Sequence, residues 1–230
     1  VTGRATTADD ASVGRVISVN VGMPIEVPYQ GRTVRTGIFK SPATGRLAVR
    51  GTGIAGDGQG DLEVHGGVDK AVYVYSQDSY LWWAKELGHS LQPGEFGENL
   101  TVTGLTEDLV RIGDRLRVGD ALVEVTQPRE PCFKLGIRMG DKRFVARFRD
   151  AGRTGFYVRV LEEGTVAGGD AVVLVHTDPA APTVAEVHDV YVSGAGDAER
   201  LRRVAATPGL AEGWRAWMQK RIAEADARVS

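Results

Sequence analysis

Short runs of alternating or wholly apolar residues, punctuated by glycine, fill the first three-quarters of the chain, and helical spacing fills the rest. Arg15 to Val21 alternates, with Val16, Ser18 and Asn20 against Ile17, Val19 and Val21, which predicts a strand. Val34 to Phe39 and Arg46 to Arg50 predict two more. Ala71 to Tyr75 is an apolar run between Gly66-Gly67 and Ser76, the mark of a buried strand. Leu100 to Thr103, Thr154 to Leu161 and Ala171 to Val175 add further strands. Arg115 to Val118 and Ala121 to Thr126 flank Gly119-Asp120, a two-residue turn that closes a hairpin. Gly51 to Gly60 holds five glycines and predicts a loop. Two helices interrupt the strands. Ser76 caps a stretch in which Tyr80, Trp83, Ala84 and Leu87 recur at helical spacing, and Gly88 stops it. Lys142 to Asp150 sets Phe144, Val145 and Phe148 on one helical face.

The period changes after His176. Asp178-Pro179-Ala180-Ala181-Pro182 predicts a linker. Beyond it, Thr183 to Val192, Asp197 to Ala206 and Gly209 to Ala227 predict helices. Their stripes are Val184, Val187, Val190 and Tyr191, then Leu201, Val204 and Ala205, then Leu210, Trp214, Trp217, Met218 and Ile222. Helical spacing makes Trp214 and Trp217 packing residues and not a base-stacking platform. Three short helices bury little alone, so they are expected to dock on the strand-rich part or on a second subunit. The fold expected is mainly β. It is a β-barrel with few helices over residues 13–177, after a flexible tail at 1–12, followed by a small three-helix domain at 183–230.

Charge and cysteine count narrow the function. The 230-residue chain carries a net charge of −2, so no strong field recruits nucleic acid or an anionic membrane. No run of 18 apolar residues predicts a membrane helix. The first dozen residues lack an apolar signal core, which predicts a cytoplasmic protein. A single cysteine excludes an internal disulfide, a CxxC zinc site and a protein-held iron–sulfur cluster. Electrons for any redox chemistry must come from outside the chain.

That cysteine lies in Gln127-Pro128-Arg129-Glu130-Pro131-Cys132-Phe133-Lys134-Leu135, between a predicted strand and a helix expected to start near Lys134. Prolines stiffen the corner, and charged neighbours set Cys132 apart from an ordinary core cysteine. A thiol at a helix N-terminus is placed to ligate a soft metal or to act as a nucleophile. Three other segments attract attention. Lys40 ends a strand just before Ser41-Pro42. Gly56-Asp57-Gly58-Gln59-Gly60 leads to His65-Gly66-Gly67, where glycines allow close approach of a ligand and His65 can serve as acid, base or ligand. No Gly-Lys-Ser/Thr ending follows, so this is not a Walker A loop. In Gly94 to Thr101, Asn99 and Thr101 alternate on one face of a strand entry. A Cys-His pair permits nucleophilic catalysis and a lone thiolate permits soft-metal ligation; the spacing does not choose between them.

Taken in order, Thr36 to Pro42, Gly56 through Tyr73, Gly94 to Thr101, Gly113-Asp114 and Gln127 to Leu135 resemble the MOSC-domain family, named for the C-terminal domain of molybdenum cofactor sulfurase. The likeness is to the YiiM-like branch, which carries a C-terminal three-helix domain. It covers nearly the whole chain after the tail. The resemblance implies a MOSC-type barrel, with Cys132 ligating the molybdenum of a molybdopterin cofactor and Lys40 and His65 grouped beside it. It also implies reduction of N-hydroxylated compounds such as 6-hydroxylaminopurine, with an external reductase as partner and a homodimer as an open possibility. Arg129, Asn99, Thr101 and the loop glycines Gly56 and Gly58 are the expected contacts of the pterin and its phosphate. Phe133 stands where relatives often have tryptophan, which bears on substrate breadth. Two other readings stay open: a cofactor or persulfide carrier without turnover, and a metal-free cysteine hydrolase using Cys132 and His65.

Overall fold

The computed structural model describes residues 12–58, 67–193 and 197–227. In chain order its strands are β1 (Ser12–Val21), β2 (Ile25–Tyr29), β3 (Arg32–Thr36), β4 (Ser41–Pro42), β5 (Leu47–Arg50), β6 (Gly53–Ile54), β7 (Val72–Ser76), β8 (Leu100–Val102), β9 (Arg115–Val118), β10 (Ala121–Pro128), β11 (Phe156–Glu162), β12 (Gly164–Val166) and β13 (Ala171–His176). The helices are α1 (Gln77–Leu87), α2 (Phe133–Arg138), α3 (Phe144–Asp150), α4 (Val184–Val192), α5 (Ala198–Ala205) and α6 (Glu212–Asp226).

Seven strands close a barrel in the order β13-β9-β10-β11-β7-β8-β1, and β1 pairs back onto β13. Neighbours in this ring run antiparallel except β7 and β8, which are parallel. Alternation along β7 explains how the core divides. Side chains two apart share a face of a strand. Val72 and Val74 therefore enter the aliphatic barrel core, while Tyr73 and Tyr75 enter a second, aromatic cluster with Tyr80, Trp83, Phe96, Phe144 and Phe148. Helices α1 and α3 supply four of those rings. Ser76 caps α1 by accepting from the Asp78 amide, and Gly88 closes it in the left-handed region. The predicted hairpin is present: Ala121 pairs with Val118 across Gly119-Asp120.

The three C-terminal helices share the barrel's aliphatic core through Val184, Val187, Val190, Leu201, Val204 and Met218. Burying such a side chain contributes about 1.5–3 kcal/mol, so docking on the barrel supplies what a small bundle lacks. Thr183 begins α4 with a reciprocal capping box to Glu186. The predicted linker is pinned. Ile112 donates to the Pro182 carbonyl at 3.0 Å, Arg111 reaches the Ala181 carbonyl, and Ala181 and Pro182 are buried. Trp214 packs as expected, against Tyr191 with ring centres 5.0 Å apart.

Several expectations are corrected. Ser12, assigned to the tail, begins β1 and pairs with Val173; the other tail residues lie outside the described ones. Strand β3 stops at Thr36 because Gly37 passes against the Gly58 carbonyl, where an added Cβ would sit 2.2 Å from the oxygen. The predicted glycine loop contains the short strand β6. Helix α6 starts at Glu212, since Gly209 holds a left-handed turn against Gly113. Strands β2 and β12 were not anticipated. The first is largely exposed with a proline inside, and the second is three residues long.

Candidate functional site

Beside β7 lies a narrow cleft with an enclosed volume of about 90 Å³, open to solvent on one side. Its walls come from distant parts of the chain. Thr36 ends β3 and Lys40 comes just after it, Asp57 and Gly58 belong to the glycine loop, and Tyr73 and Tyr157 to the strands β7 and β11. Arg129, Cys132 and Lys134 come from the corner after β10.

One wall is a chain of fixed polar contacts. Lys40, 8 % exposed, donates to Asp57 Oδ1. The same oxygen accepts from the Gly22 amide at 3.0 Å, and Asp57 Oδ2 accepts from Asn99 Nδ2 at 2.8 Å. Asn99 is itself locked to β7. Its Oδ1 accepts from the Tyr73 amide at 3.1 Å, and its own amide donates to the Tyr73 carbonyl at 2.8 Å. Burial pushes the Lys40 ammonium below its ordinary range, and Asp57 and then Glu98 oppose that shift by their charge.

The other wall holds Arg129. The Arg129 amide donates to the Gly155 carbonyl at the end of the β10–β11 pairing. Its guanidinium lies over Tyr73 at 4.9 Å and Phe148 at 5.2 Å, and Nη1 is buried without a hydrogen-bond partner. Three residues on, half-buried Cys132 occupies the position before α2, and its carbonyl accepts from the Leu135 amide at 2.9 Å. Helix α2 starts one residue earlier than expected and has only six residues, so its stack of peptide dipoles is short. Phe133, 38 % exposed, faces outward and stacks on Tyr29 of the β2–β3 hairpin at 5.5 Å.

Lys40, Asn99, Arg129, Cys132 and Gly58 thus border one cleft. Gly58 is required there, since a Cβ would lie 2.6 Å from Pro24. Gly56 is not among the lining residues; its left-handed backbone (φ 85°) shapes the turn that presents Asp57. Thr101 is turned into the barrel wall, where it donates to Glu98 and accepts from Asn20. His65 lies outside the described residues. Sequence reasoning passed over Asp57, Lys70 and Lys134. Asp57 was hidden because its flanking glycines drew attention to the backbone and its partner is Lys40, far back in the chain. The only available signal was an acid inside a loop already marked for ligand approach. Among the described residues the cleft sets four cations, Lys40, Lys70, Arg129 and Lys134, against this one carboxylate, in a chain of net charge −2.

The MOSC domain model matches residues 61–173, which span most of this closed barrel. The YiiM-like, 3-alpha helix domain model matches residues 182–225. The chain belongs to the YiiM-like branch of the MOSC-domain proteins. It is 41 % identical to the uncharacterized protein YflK of Bacillus subtilis over 90 % of this chain and 93 % of that one. The crystal structure of YiiM from Geobacillus stearothermophilus superposes with a TM-score of 0.78 at 34 % identity, covering 91 % of this chain and 99 % of YiiM. A protein named reductase from Gibberella moniliformis is 34 % identical over 73 % of this chain, which spans 30 % of that longer protein. Among the described residues, no helix is long and apolar enough to cross a membrane.

Proposed function

We propose that the cleft binds a molybdenum cofactor and that the protein uses it to reduce N-hydroxylated compounds, base analogues such as 6-hydroxylaminopurine among them, to the amine. One observation carries this reading: among the described residues four cations and one thiol converge around a single carboxylate, and one guanidinium nitrogen is buried without a hydrogen-bond partner. A buried charge without compensation is costly, and an anionic occupant offsets that cost. A phosphorylated pterin is such an occupant. The donor set fits as well. Among the described residues no group of three histidine, cysteine or carboxylate side chains can hold an ion. A metal bound here would bring most of its ligands with it, as a dithiolene-held molybdenum does. The reductase name of the Gibberella moniliformis relative supports the reaction class.

Cys132 would ligate the molybdenum through its thiolate. Arg129, Lys70 and Lys134 would hold the phosphate and pterin with Asn99 and the backbone at Gly58. When bound, the cofactor supplies a two-electron couple that can accept an oxygen atom. The net reaction takes R–NH–OH, two protons and two electrons to R–NH2 and water. The N–O bond breaks, and a separate reductase provides the electrons. The Lys40 ammonium supplies one proton to the departing oxygen and solvent supplies the other, with His65 the second expected donor. Tyr73, Tyr157 and Ile38 form the apolar sides of the cleft and limit bulk water.

The test is protein made in a host that synthesises the cofactor, analysed for molybdenum and pterin and assayed on 6-hydroxylaminopurine with a chemical reductant. Wild type is expected to carry the metal and turn over; Cys132→Ser is expected to lose both. Full activity of the serine variant would sink the scheme. Cofactor retained without turnover would make the protein a carrier.

A further inference from the structure

Asp57 is the only carboxylate among the described residues of the cleft wall, and each of its oxygens is engaged. The contacts form a line: the Tyr73 backbone holds Asn99, Asn99 holds Asp57, and Asp57 holds Lys40. A lysine side chain is otherwise flexible, and a buried lysine tends to shed its proton. Among the described residues Lys40 donates to Asp57 alone, which uses one of its three N–H groups. Among the described residues the other charged groups facing the cleft are Arg129, Lys70 and Lys134, all cations, with the thiol of Cys132. Tyr73 and Tyr157 are kept neutral by burial. Glu98 is buried behind Asn99 and acts on Lys40 only through space.

We propose that Asp57 is a positioning residue that fixes Lys40 as a charged, aimed proton donor to the oxygen leaving the substrate nitrogen. The substrate rests on the function proposed above, whereas the link between Asp57 and Lys40 needs no cofactor. In the step concerned the N–O bond breaks with two electrons from the separate reductase. One Lys40 proton passes to the hydroxyl oxygen, which leaves as water, and a proton from solvent goes to the nitrogen, which becomes the amine. Lys40 then regains its proton from solvent. Asp57 neither gives nor takes a proton; its charge decides whether Lys40 has one to give.

Two measurements test this. In cofactor-free protein, the pH dependence of Lys40 modification by an amine-acylating reagent, read on the peptide by mass spectrometry, reports the charge on Lys40 directly. Asp57→Asn removes an interaction that favours the ammonium, so the midpoint is expected to fall by about one pH unit or more. An unmoved midpoint overturns the proposal. In loaded protein, Asp57→Asn is expected to lower kcat about 100-fold with KM within about twofold, and to move the alkaline limb of the profile to lower pH. Adding Asp57→Asn to Lys40→Gln should then cost nothing further; losses that multiply would mean that Asp57 acts on its own and would overturn the proposal. Should D57N fold poorly, D57S and the K40Q/D57N pair, which orphans no buried charge, carry the same comparison. A wild type that carries molybdenum but never turns over defeats the function proposed above, and the acylation midpoint still decides the role of Asp57.

Discussion

Lys40 and Arg129 are both buried cations on the wall of one cleft, yet Lys40 gives its charge to a carboxylate while Arg129 lies between the faces of Tyr73 and Phe148 with Nη1 unmatched. The difference follows from the two side chains. A lysine taken out of water can discard its proton, so keeping it charged needs an acid at hand. A guanidinium stays charged in any protein, is weakly hydrated and stacks on aromatic rings. The cleft therefore has a permanent charge on one side and an adjustable one on the other. The first suits an anion that stays in place, and the second suits a proton that moves.

The largest effect is expected from breaking the adjustable side. Lys40→Met leaves Asp57 buried without its cation, which costs about 3–5 kcal/mol. At about 2–4 °C per kcal/mol for a chain of this size, the cofactor-free protein should melt roughly 6–20 °C lower. Asp57→Asn on top of it should recover part of the loss, because it removes the buried charge while its single amide oxygen keeps one of the two hydrogen bonds, from Gly22 or from Asn99. Thermal unfolding by circular dichroism decides this. A Lys40→Met variant as stable as wild type would mean that the pair is not held in solution as it is in the structure.

Arg129 should behave in the opposite sense. Arg129→Met removes a charge that makes no salt bridge among the described residues and fills much of the same space among the rings, so stability without cofactor should stay within about 1 kcal/mol of wild type. Affinity for the anionic occupant should suffer instead. Losing one charge-assisted hydrogen bond is worth about 1.5–3 kcal/mol, or about 10- to 100-fold in binding. Pterin and molybdenum content after purification, set beside the melting temperature, separates the two effects. Equal losses in both would erase the contrast with Lys40.

What could be read from the sequence followed local physics. The hairpin at Gly119-Asp120, the Ser76 cap of α1 and the valine stripe of α4 each declare themselves within a few residues. Cys132 and Lys40 stood out because a thiol among prolines and a lysine at a strand end are unusual neighbours. Asp57 and Glu98 did not, since their burial depends on partners tens of residues away that only barrel closure brings near. Lys40 meets Asp57, and Asn20 meets Glu98, across different loops. The split of β7 into valine and tyrosine faces was written in its alternation, but what covers each face was not. The pinned segment before α4 read as a linker because proline and alanine say nothing of Ile112 and Arg111 beside them.

Glu98 sharpens the comparison from a third side, as a fully buried acid that makes no salt bridge among the described residues. Its Oε1 accepts from the Tyr80 hydroxyl at 2.6 Å, the Gly94 amide at 2.7 Å and the Thr101 hydroxyl at 2.7 Å, while Oε2 is buried without a partner. Burial pushes the carboxyl above the ordinary glutamate range, and those hydrogen bonds pull back without cancelling the shift. The folded protein therefore keeps a proton that the unfolded chain releases. The stability this gives is complete at acidic pH, below the unfolded chain's own titration, and is lost as pH rises through the folded value. Glu98→Gln cannot titrate, so its stability relative to wild type should improve as pH rises across that window, by about 1.4 kcal/mol for each pH unit the window spans. Below the window the two should differ little, since a protonated carboxyl and an amide make similar contacts. Urea unfolding of both proteins from near pH 4 to near pH 8 measures the divergence. Parallel curves would mean that Glu98 titrates alike in the folded and unfolded chains, and that the donors to Oε1, and not its burial, set its charge.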